Sequence, residues 1–371
     1  MFHRLLSAAA LLLVLGLGLT AAPKDTDPTQ GLKPGTVTLK SAGPLAFAPK
    51  GVLLVGDPQA ATIYAIDTGD NTAEGTGRPK VEGIDEKIAS LLGTEAKGIQ
   101  VNDLAVNPIS GNTYLSVARG RGPNASAVIL KLSRDGKLSE FDLKDRKSAK
   151  ATLPNPPAEG GKAGGKGRAP RRQDSITKIG YLNGRVIVAG LSNEEFASNL
   201  RSIPFPFESG AKGTNIEMYH GAHGKFETHS PIRVFTTYKI DGEDHLLAAY
   251  TCTPLVKIPV KKLEPGAKLM ATTVAELGNR NSPLSIIVYN KGGKDYALIA
   301  NNARGLMKVS LDGVDKIEGI TSRISGTAGL KYETIKELTG VQRLDAFDKD
   351  HAVLLIQDKG GAMKIDTVDL P

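Results

Sequence analysis

Three things are scarce in this chain of 371 residues: cysteine, tryptophan and long apolar runs. Its one cysteine, Cys252, excludes an internal disulfide, so packing must stabilise the fold. The absence of tryptophan excludes a cofactor made from modified tryptophan. No CxxCH motif occurs, which excludes ordinary covalent c-type haem. Beyond residue 19, no apolar run is long enough to cross a membrane.

Several common catalytic motifs are missing as well. The sequence has no GxSxG nucleophile elbow, no HExxH zinc-protease motif and no phosphate-binding loop ending in GKS or GKT. Motifs therefore favour no enzyme class, and we expect a binding or scaffold role rather than catalysis.

The N-terminus has the pattern of an export signal. Arg4 precedes an apolar run over residues 5–19, and the run is followed by Thr-Ala-Ala. Because the run is short for a bilayer span, we expect residues 1–22 to be removed and the protein to be exported to the periplasm or the extracellular space. Pro23 is awkward for cleavage, so an uncleaved anchor is the alternative. Residues 23–35 are predicted to be a linker.

The net charge of +8 is concentrated in one segment. Residues 144–172 contain nine basic and two acidic residues, so the rest of the chain is nearly neutral. The stretch 144–173 includes a Gly, Pro and Lys run that cannot bury a core, and we predict a disordered insertion. It is either a solvated spacer or a weak contact for an anionic surface polymer or lipid. Nucleic acid is not expected as a partner, because the segment has no aromatic residue for base stacking.

One pattern recurs six times: an apolar β-branched run, a polar turn and a second β-rich run. This alternation predicts a pair of antiparallel strands in each copy. The copies are VLLVGDPQAATIYAID (52–67), TYLSVARGRGPNASAVILKLS (113–133), VIVAGLSNEEFASNLRSIPF (186–205), LLAAYTCTPLVKIPV (246–260), ALIANNARGLMKVSLD (297–312) and VLLIQDKGGAMKID (353–366).

Each copy has further strand candidates on both sides. A β-rich run precedes every pair, as in PLAFAP or IRVFTTYKI, and a polar fourth strand can follow, as in LSEFDL. Four antiparallel strands in each of six units predict an all-β six-bladed β-propeller over residues 36–371. The last unit lacks a fourth strand, so TVTLK (36–40) is predicted to supply it and close the ring. Seven blades, a β-sandwich or two small β domains are the alternatives. Helix is expected only over residues 84–93.

Two stretches carry a family resemblance. GPLAFAPKGVLLVGDPQAATIYAIDT (43–68) and VNDLAVNPISGNTYLSV (101–117) resemble blades of exported bacterial propellers of the YVTN and NHL-like type. The resemblance implies the propeller architecture and no particular activity, because propellers serve as enzymes, binders and scaffolds.

Propeller connectivity predicts where a site forms. The turns between second and third strands and the starts of the innermost strands meet at one channel mouth, and loops there carry function. We expect this upper face of a monomer to bind an unidentified small ligand or protein partner. The candidate binding residues on this face are Asp57, Asn102, Asp103, Asp174, His229, Asn281, Asn301, Asn302, Arg304, Gln342 and Arg343.

A metal site is a second hypothesis. His220, His223 and His229 lie within ten residues of one another, and the predicted fold brings this segment to the same face as Cys252. Imidazole and thiolate are ligands for Zn²⁺ or copper, so a copper-handling or electron-transfer propeller is one alternative function. The spacing matches no standard zinc motif, and a hydrogen-bonded loop beside a small buried cysteine is the competing interpretation.

The acidic residues of the same face suggest a third hypothesis. Asn102 and Asp103, with Asp57 and Asp174, could hold Ca²⁺ in the channel. VNDL resembles the channel-lining Asn-Asp of gluconolactonase-like propellers. That resemblance implies a metal-dependent hydrolase of the lactonase kind and carries over to Asn102 and Asp103 alone. His229 is a further candidate residue for such a hydrolase.

Overall fold

β-strands form most of the computed structural model, which describes residues 27–73, 75–159, 171–207, 212–252 and 254–371. The predicted export signal lies outside these residues. Within them, no helix is both long and apolar enough to cross a membrane.

The described residues contain 26 strands. The first thirteen are β1 (Lys33–Gly35), β2 (Leu45–Ala48), β3 (Val52–Asp57), β4 (Thr62–Asp67), β5 (Ile99–Val106), β6 (Thr113–Arg119), β7 (Ser126–Leu132), β8 (Leu138–Glu140), β9 (Arg146–Thr152), β10 (Lys178–Leu182), β11 (Arg185–Leu191), β12 (Ser198–Pro204) and β13 (Thr214–His220). The others are β14 (Lys225–Glu227), β15 (Ile232–Ile240), β16 (Glu243–Tyr250), β17 (Pro254–Pro259), β18 (Lys268–Leu277), β19 (Pro283–Lys291), β20 (Lys294–Asn301), β21 (Gly305–Ser310), β22 (Thr327–Gly329), β23 (Tyr332–Ile335), β24 (Val341–Ala346), β25 (His351–Gln357) and β26 (Met363–Asp369). One α-helix, α1 (Ile84–Leu91), lies where the sequence predicts it.

Hydrogen bonding sorts the described strands into five sheets, which we divide into six antiparallel groups, called blades 1 to 6 in chain order. Blade 1 holds β2, β3, β4 and β9, with β1 beyond β9, and blade 2 holds β5 to β8. Blade 3 holds β10 to β13 and blade 4 holds β15 to β18; they share one sheet because β13 pairs with β18 in parallel. Blade 5 holds β19, β20, β21 and β23, and blade 6 holds β24 to β26.

The six repeated pairs of the sequence form the second and third strands of the blades, as predicted. In β3 every residue is buried. Continuous burial arises because a blade is covered on both faces by its neighbours, which explains why these runs are apolar throughout rather than alternating.

The innermost strands form a closed ring. β2 contacts β5 and β10, β5 contacts β24, and the ring continues through β19 and β15 back to β10. Apolar residues between neighbouring blades form six clusters among the described residues. For example, Leu54 of blade 1 shares a cluster with Val188 of blade 3, and Leu115 of blade 2 shares one with Leu355 of blade 6. The fold is therefore an all-β propeller, as the sequence predicts.

The order of blades around the ring differs from their order in the chain. Blade 2 lies between blades 1 and 6, while blade 3 lies on the other side of blade 1. After blade 2 the chain returns to the outer edge of blade 1, where β9 pairs with β4 and Ala151 faces Ile63. A strand from beyond blade 2 thus completes blade 1.

The predicted closure of the ring by TVTLK (36–40) is wrong. These residues form no strand, and Val37 N–H instead donates a 3.0 Å hydrogen bond to the carbonyl of Leu143. The outer edge of blade 6 is covered by Val81, which forms an isolated bridge with Ile365 of β26. The connection from blade 1 to blade 2 passes this edge, so it occupies the place predicted for the N-terminus.

Two segment predictions also need correction. The stretch 144–173 is not one disordered insertion, because β9 lies within it and residues 160–170 are outside the described residues. The predicted linker 23–35 contains β1, which pairs with β9, and Leu32 is buried in the cluster between blades 1 and 3. Both segments look polar in sequence but carry short stretches that complete the outer edge of blade 1.

Candidate functional site

A cavity of about 780 Å³ lies where the six inner strands begin, at one mouth of the central channel. Closing the ring brings together the first residues of these strands. The lining residues from the six strand starts include Gly43, Pro44, Asn102, Asp103, Thr177, Lys178, Arg233, Val234, Pro283, Leu284 and Arg343. Turns between second and third strands add Gln59 from blade 1 and Arg121 from blade 2.

Asp103 on β5 is the central acid of this cavity, and its side chain is 9% exposed. Its Oδ2 accepts hydrogen bonds from Leu45 N–H at 3.0 Å and from Lys178 Nζ at 3.4 Å. Arg343 Nε lies 3.9 Å from Asp103 Oδ1 and donates to the carbonyl of Asn102 at 2.7 Å. Burial lowers the pKa of Arg343, and the Asp103 carboxylate opposes that shift. Because two cations already neutralise the carboxylate, the arrangement disfavours Ca²⁺ at Asp103.

Asp174 forms a second charged group at the rim. Its Oδ1 accepts a 3.0 Å hydrogen bond from Arg233 Nη1, and its Oδ2 accepts one from Arg171 Nε at 3.2 Å. Arg233 also donates to Thr251 Oγ1 at 3.3 Å. These contacts connect the starts of blades 3 and 4 and hold the Arg233 guanidinium at the cavity wall.

Positive charge dominates the cavity. Among the described residues, two carboxylates and five cationic side chains line it, an excess of three positive charges. The cationic residues are Lys40, Arg121, Lys178, Arg233 and Arg343. A concave surface with cations in excess attracts anions, since its low-dielectric walls focus the field.

Asp345 lies farther along β24, beyond the cavity lining. Its Oδ2 accepts a 2.9 Å hydrogen bond from Val106 N–H, and its Oδ1 accepts one from Ala346 N–H at 2.9 Å. Burial raises the pKa of Asp345 to about 6, although both hydrogen bonds and the charge of Lys178 oppose the shift. Asp345 therefore keeps its proton in mildly acidic solution, unlike an ordinary aspartate.

Four residues predicted for the upper face line the cavity: Asn102, Asp103, Asp174 and Arg343. Asp57 does not line it. Its carboxylate instead accepts hydrogen bonds from the backbone N–H groups of Lys40 at 2.6 Å and of Ala60 at 3.0 Å. It holds the segment that enters blade 1 against the turn after β3.

The other predicted residues hold local backbone outside the cavity. Asn301 donates to Asn281 Oδ1 at 2.8 Å, and both amides bond to turn backbone. Asn302 Oδ1 accepts from Ser282 N–H at 2.7 Å, and Arg304 donates to the carbonyl of Asn279 at 3.2 Å. Gln342 donates to the carbonyl of Gly340 at 3.1 Å. Polar residues in these propeller turns thus hydrogen-bond the turn backbone, and the sequence alone does not distinguish this role from ligand binding.

Lys178 and Arg233 are the main lining residues that the sequence reasoning missed. Both lie at or next to the start of an inner strand that the sequence predicts, in SITKIGYLN and IRVFTTYKI. Attention to the first residues of each inner strand, rather than to the residues just before it, would have found them.

The histidine-rich segment lies outside this cavity, beside the junction of β13 and β18. The structure brings His220, His223 and Cys252 together, with one ligand atom of each within 4.8 Å of the others. It does not include His229, which is exposed and contacts Thr228 Oγ1 at 2.9 Å. In the described parts of the chain, no other such group of His, Cys, Asp or Glu occurs, so Asp57, Asp103 and Asp174 do not form one.

Glu227 on β14 touches both imidazoles of this cluster. His223 Nδ1 lies 2.5 Å from Glu227 Oε1, and His220 Nδ1 lies 3.2 Å from Oε2. Ser230 Oγ also donates to Oε2, at 2.9 Å. Burial works to raise the pKa of Glu227, but the neighbouring His220, His223 and Ser230 outweigh it and lower the pKa to about 2. Glu227 is therefore ionised at neutral pH.

The closed ring of antiparallel blades defines this chain as a β-propeller. No protein-family model matches the sequence, and no curated protein matches it. Among solved structures, the chain is similar to the PQQ-bound aldose sugar dehydrogenase of Streptomyces coelicolor, with 15% identity, a TM-score of 0.35 and coverage of 91% of this chain and 96% of that one.

Two further solved structures are similar at the same level. The Cps50 (Swd1) β-propeller domain of Myceliophteria thermophila has 11% identity and a TM-score of 0.37, covering 89% of this chain and 84% of that one. Streptogramin B lyase has 10% identity and a TM-score of 0.33, covering 91% and 97%. Because these TM-scores are low, the propeller assignment rests instead on strand order, inner-strand contacts and core clusters.

Proposed function

We propose that this chain is an exported propeller of the YVTN and NHL-like type that binds a small anionic ligand in the channel-mouth cavity, without catalysing a reaction. The excess of cationic side chains in that cavity carries the proposal. Export and the propeller subtype are inferred from the sequence of residues 1–22 and from the blade-like stretches 43–68 and 101–117.

The size of the cavity favours a small molecule over a protein partner. A volume of about 780 Å³ falls within the range typical of small-molecule sites. The cations converge from different blades, Lys178 from blade 3, Arg233 from blade 4 and Arg343 from blade 6. A ligand with several carboxylates or other acidic groups would satisfy more of them at once than a monovalent ion.

Citrate, galacturonate and glucose provide a direct test by isothermal titration calorimetry. They differ in charge, as a tricarboxylate, a monocarboxylate and a neutral sugar. We expect citrate to bind most tightly and glucose not to bind. We also expect the affinity for citrate to fall as sodium chloride is raised from about 20 to about 500 mM, because screening strengthens over that range.

Two variants assign the binding to the cavity. Lys178→Gln and Arg233→Gln each remove one lining cation, while Arg343 and Arg171 still pair with Asp103 and Asp174. Each variant should weaken citrate binding by about 10-fold, the equivalent of one charge-assisted hydrogen bond. Lys87→Gln is the matched control, because Lys87 is exposed on α1 and the charge change is the same. Equal binding of glucose and citrate, or unchanged citrate affinity in both cavity variants, would overturn the proposal.

A further inference from the structure

The cluster of His220, His223 and Cys252 combines three separate elements. His220 ends β13, His223 lies in the turn that follows, and Cys252 lies in the turn between β16 and β17. Cys252 has a left-handed backbone with φ of 63° and donates its N–H to the carbonyl of Asn281 at 2.7 Å. A non-glycine residue in this conformation is held there by its surroundings, so the thiol is brought to the histidines by the fold rather than by chance flexibility.

Glu227 leaves one nitrogen of each ring available. Because its carboxylate contacts Nδ1 of both His220 and His223, it favours the tautomer that carries the proton on Nδ1. The Nε2 lone pairs of both rings then remain available to bind a metal ion. The two rings are tilted by 37° to each other, with centroids 3.9 Å apart. A carboxylate behind each histidine is the usual support of a metal-binding imidazole.

Three buried polar atoms beside the cluster have no hydrogen-bond partner among the described residues. They are Nδ1 and Nε2 of His220, whose side chain is 2% exposed, and Oε2 of Glu276, a residue that is fully buried. The other oxygen of Glu276 accepts a 2.5 Å hydrogen bond from Gly221 N–H. Unpaired buried polar atoms are destabilising and rare in folded proteins, so they point to a missing partner. A cation at the cluster would engage the imidazole and offset the charge of the glutamate.

The donor set decides which cation fits. Two imidazoles and a thiolate suit a transition-metal ion of borderline softness and are poor ligands for Ca²⁺ or Mg²⁺. Zn²⁺ has no geometric preference of its own and binds such mixed sets tetrahedrally. His223 is exposed, which leaves one side of the cluster open to solvent.

We propose that His220, His223 and Cys252 bind a divalent transition-metal ion, with Zn²⁺ favoured, and leave one coordination position open. The site lies at the junction of blades 3 and 4, apart from the channel-mouth cavity, and the proposal does not depend on the anionic ligand. Three protein ligands with an open fourth position are the composition of a zinc site that also accepts water or a further ligand.

Co²⁺ titration of the chelator-treated full chain tests this proposal, because Co²⁺ occupies zinc sites and reports thiolate coordination by a charge-transfer band in the near ultraviolet. We expect one equivalent of Co²⁺ to produce that band and one equivalent of Zn²⁺ to abolish it by displacement. Zn²⁺ should also raise the melting temperature, since it binds the folded chain.

Two ligand variants and one control complete the experiment. Cys252→Ser should remove the charge-transfer band, and Cys252→Ser and His223→Ala should each weaken Zn²⁺ binding by about 100-fold or more. His223 is chosen over His220 because its exposure makes unfolding of the variant less of a concern. The control His229→Ala removes an exposed histidine of the same loop that lies outside the cluster. It should bind Zn²⁺ like the wild type.

Three outcomes would overturn the proposal. The first is a wild-type chain that shows no thiolate band with Co²⁺. The second is Zn²⁺ affinity that both ligand variants retain. The third is an equal loss of affinity in His229→Ala, which would indicate nonspecific binding to the histidine-rich loop.

Discussion

Two buried polar clusters of this propeller differ in how completely their atoms are paired. The Asp70 carboxylate, between blades 1 and 2, accepts hydrogen bonds from Ser110 Oγ at 2.9 Å, Asn112 Nδ2 at 3.0 Å and Tyr114 Oη at 3.0 Å. Lys131 Nζ lies 3.2 Å from it. Burial works to raise the pKa of Asp70, but these donors outweigh it and lower the pKa.

The cluster around His220 is buried at His220 and Glu276, exposed at His223, and incompletely paired. Oε2 of Glu276 and both ring nitrogens of His220 lack hydrogen-bond partners among the described residues, and burial raises the pKa of Glu276. Both clusters join a connecting segment to a blade. A cluster whose polar atoms are all hydrogen-bonded is structural, whereas a cluster with unpaired atoms points to a ligand that the chain itself does not supply.

The largest expected effect is on the saturated cluster. Asp70→Asn replaces an acceptor of four groups by an amide whose NH₂ would face other donors. We expect a loss of about 3 kcal/mol in the free energy of unfolding, measured by urea denaturation. Asp67→Asn is the matched control. Among the described residues, the Asp67 carboxylate accepts a hydrogen bond only from the nearby Gly69 N–H, so the change should be about 0.5 kcal/mol or less. Similar losses in the free energy of unfolding for Asp70→Asn and Asp67→Asn would show that the hydrogen bonds to Asp70 add no particular stability.

An intermediate effect is expected from Asp345, a half-buried carboxylate that accepts hydrogen bonds from two backbone N–H groups. Because its pKa is raised from 3.8 to about 6, its protonated form contributes stability below about pH 4, and that contribution is lost as the pH rises through about 6. When the pH is raised from 4 to 7, the free energy of unfolding of the wild type should fall by about 2–3 kcal/mol relative to that of Asp345→Asn.

The Asp70 contribution has the opposite dependence on pH. Since the pKa of Asp70 is lowered, its contribution is present above about pH 4 and is lost as the pH falls below that value. A pH-independent difference between wild type and Asp345→Asn would show that the pKa of the Asp345 carboxyl is not raised in the folded chain.

The smallest expected effect has the opposite sign to that of Asp70→Asn. In chelator-treated protein, Glu276→Gln should raise the free energy of unfolding by about 1 kcal/mol, because the amide keeps an acceptor for Gly221 N–H and removes a buried charge. Glu140→Gln, an exposed change of the same kind on β8, should be neutral. If Glu276→Gln instead destabilised the metal-free protein, Glu276 would be a structural acid like Asp70.

Much of the fold could be predicted from local pattern. The six strand pairs, the inner strands and α1 lie where the sequence predicts them, because apolar runs and turn residues mark each element locally. The role of β9 could not be predicted. Its sequence RKSAKAT is polar and basic, and it becomes a strand only because the open edge of β4 offers it hydrogen-bond partners.

The candidate site was predictable in part for a related reason. Asn102, Asp103, Asp174 and Arg343 were found because inner-strand starts must meet at a channel mouth. The sequence also identified His220, His223 and Cys252 as a group but wrongly added His229, whose neighbour Ser230 contacts Glu227 while His229 itself turns to Thr228. Side-chain direction in a turn depends on hydrogen bonds that spacing does not reveal.

The repeated apolar strand pairs of the sequence are enough to predict a ring of antiparallel blades, because each unit has apolar strands that only neighbouring units can cover. The position of blade 2 between blades 1 and 6, the covering of the outer edges by β9 and Val81, and the identity of the unpaired polar side chains follow from the folded structure alone. Those outcomes depend on contacts between residues far apart in the chain, and a buried polar atom is satisfied or not only once every neighbour is in place.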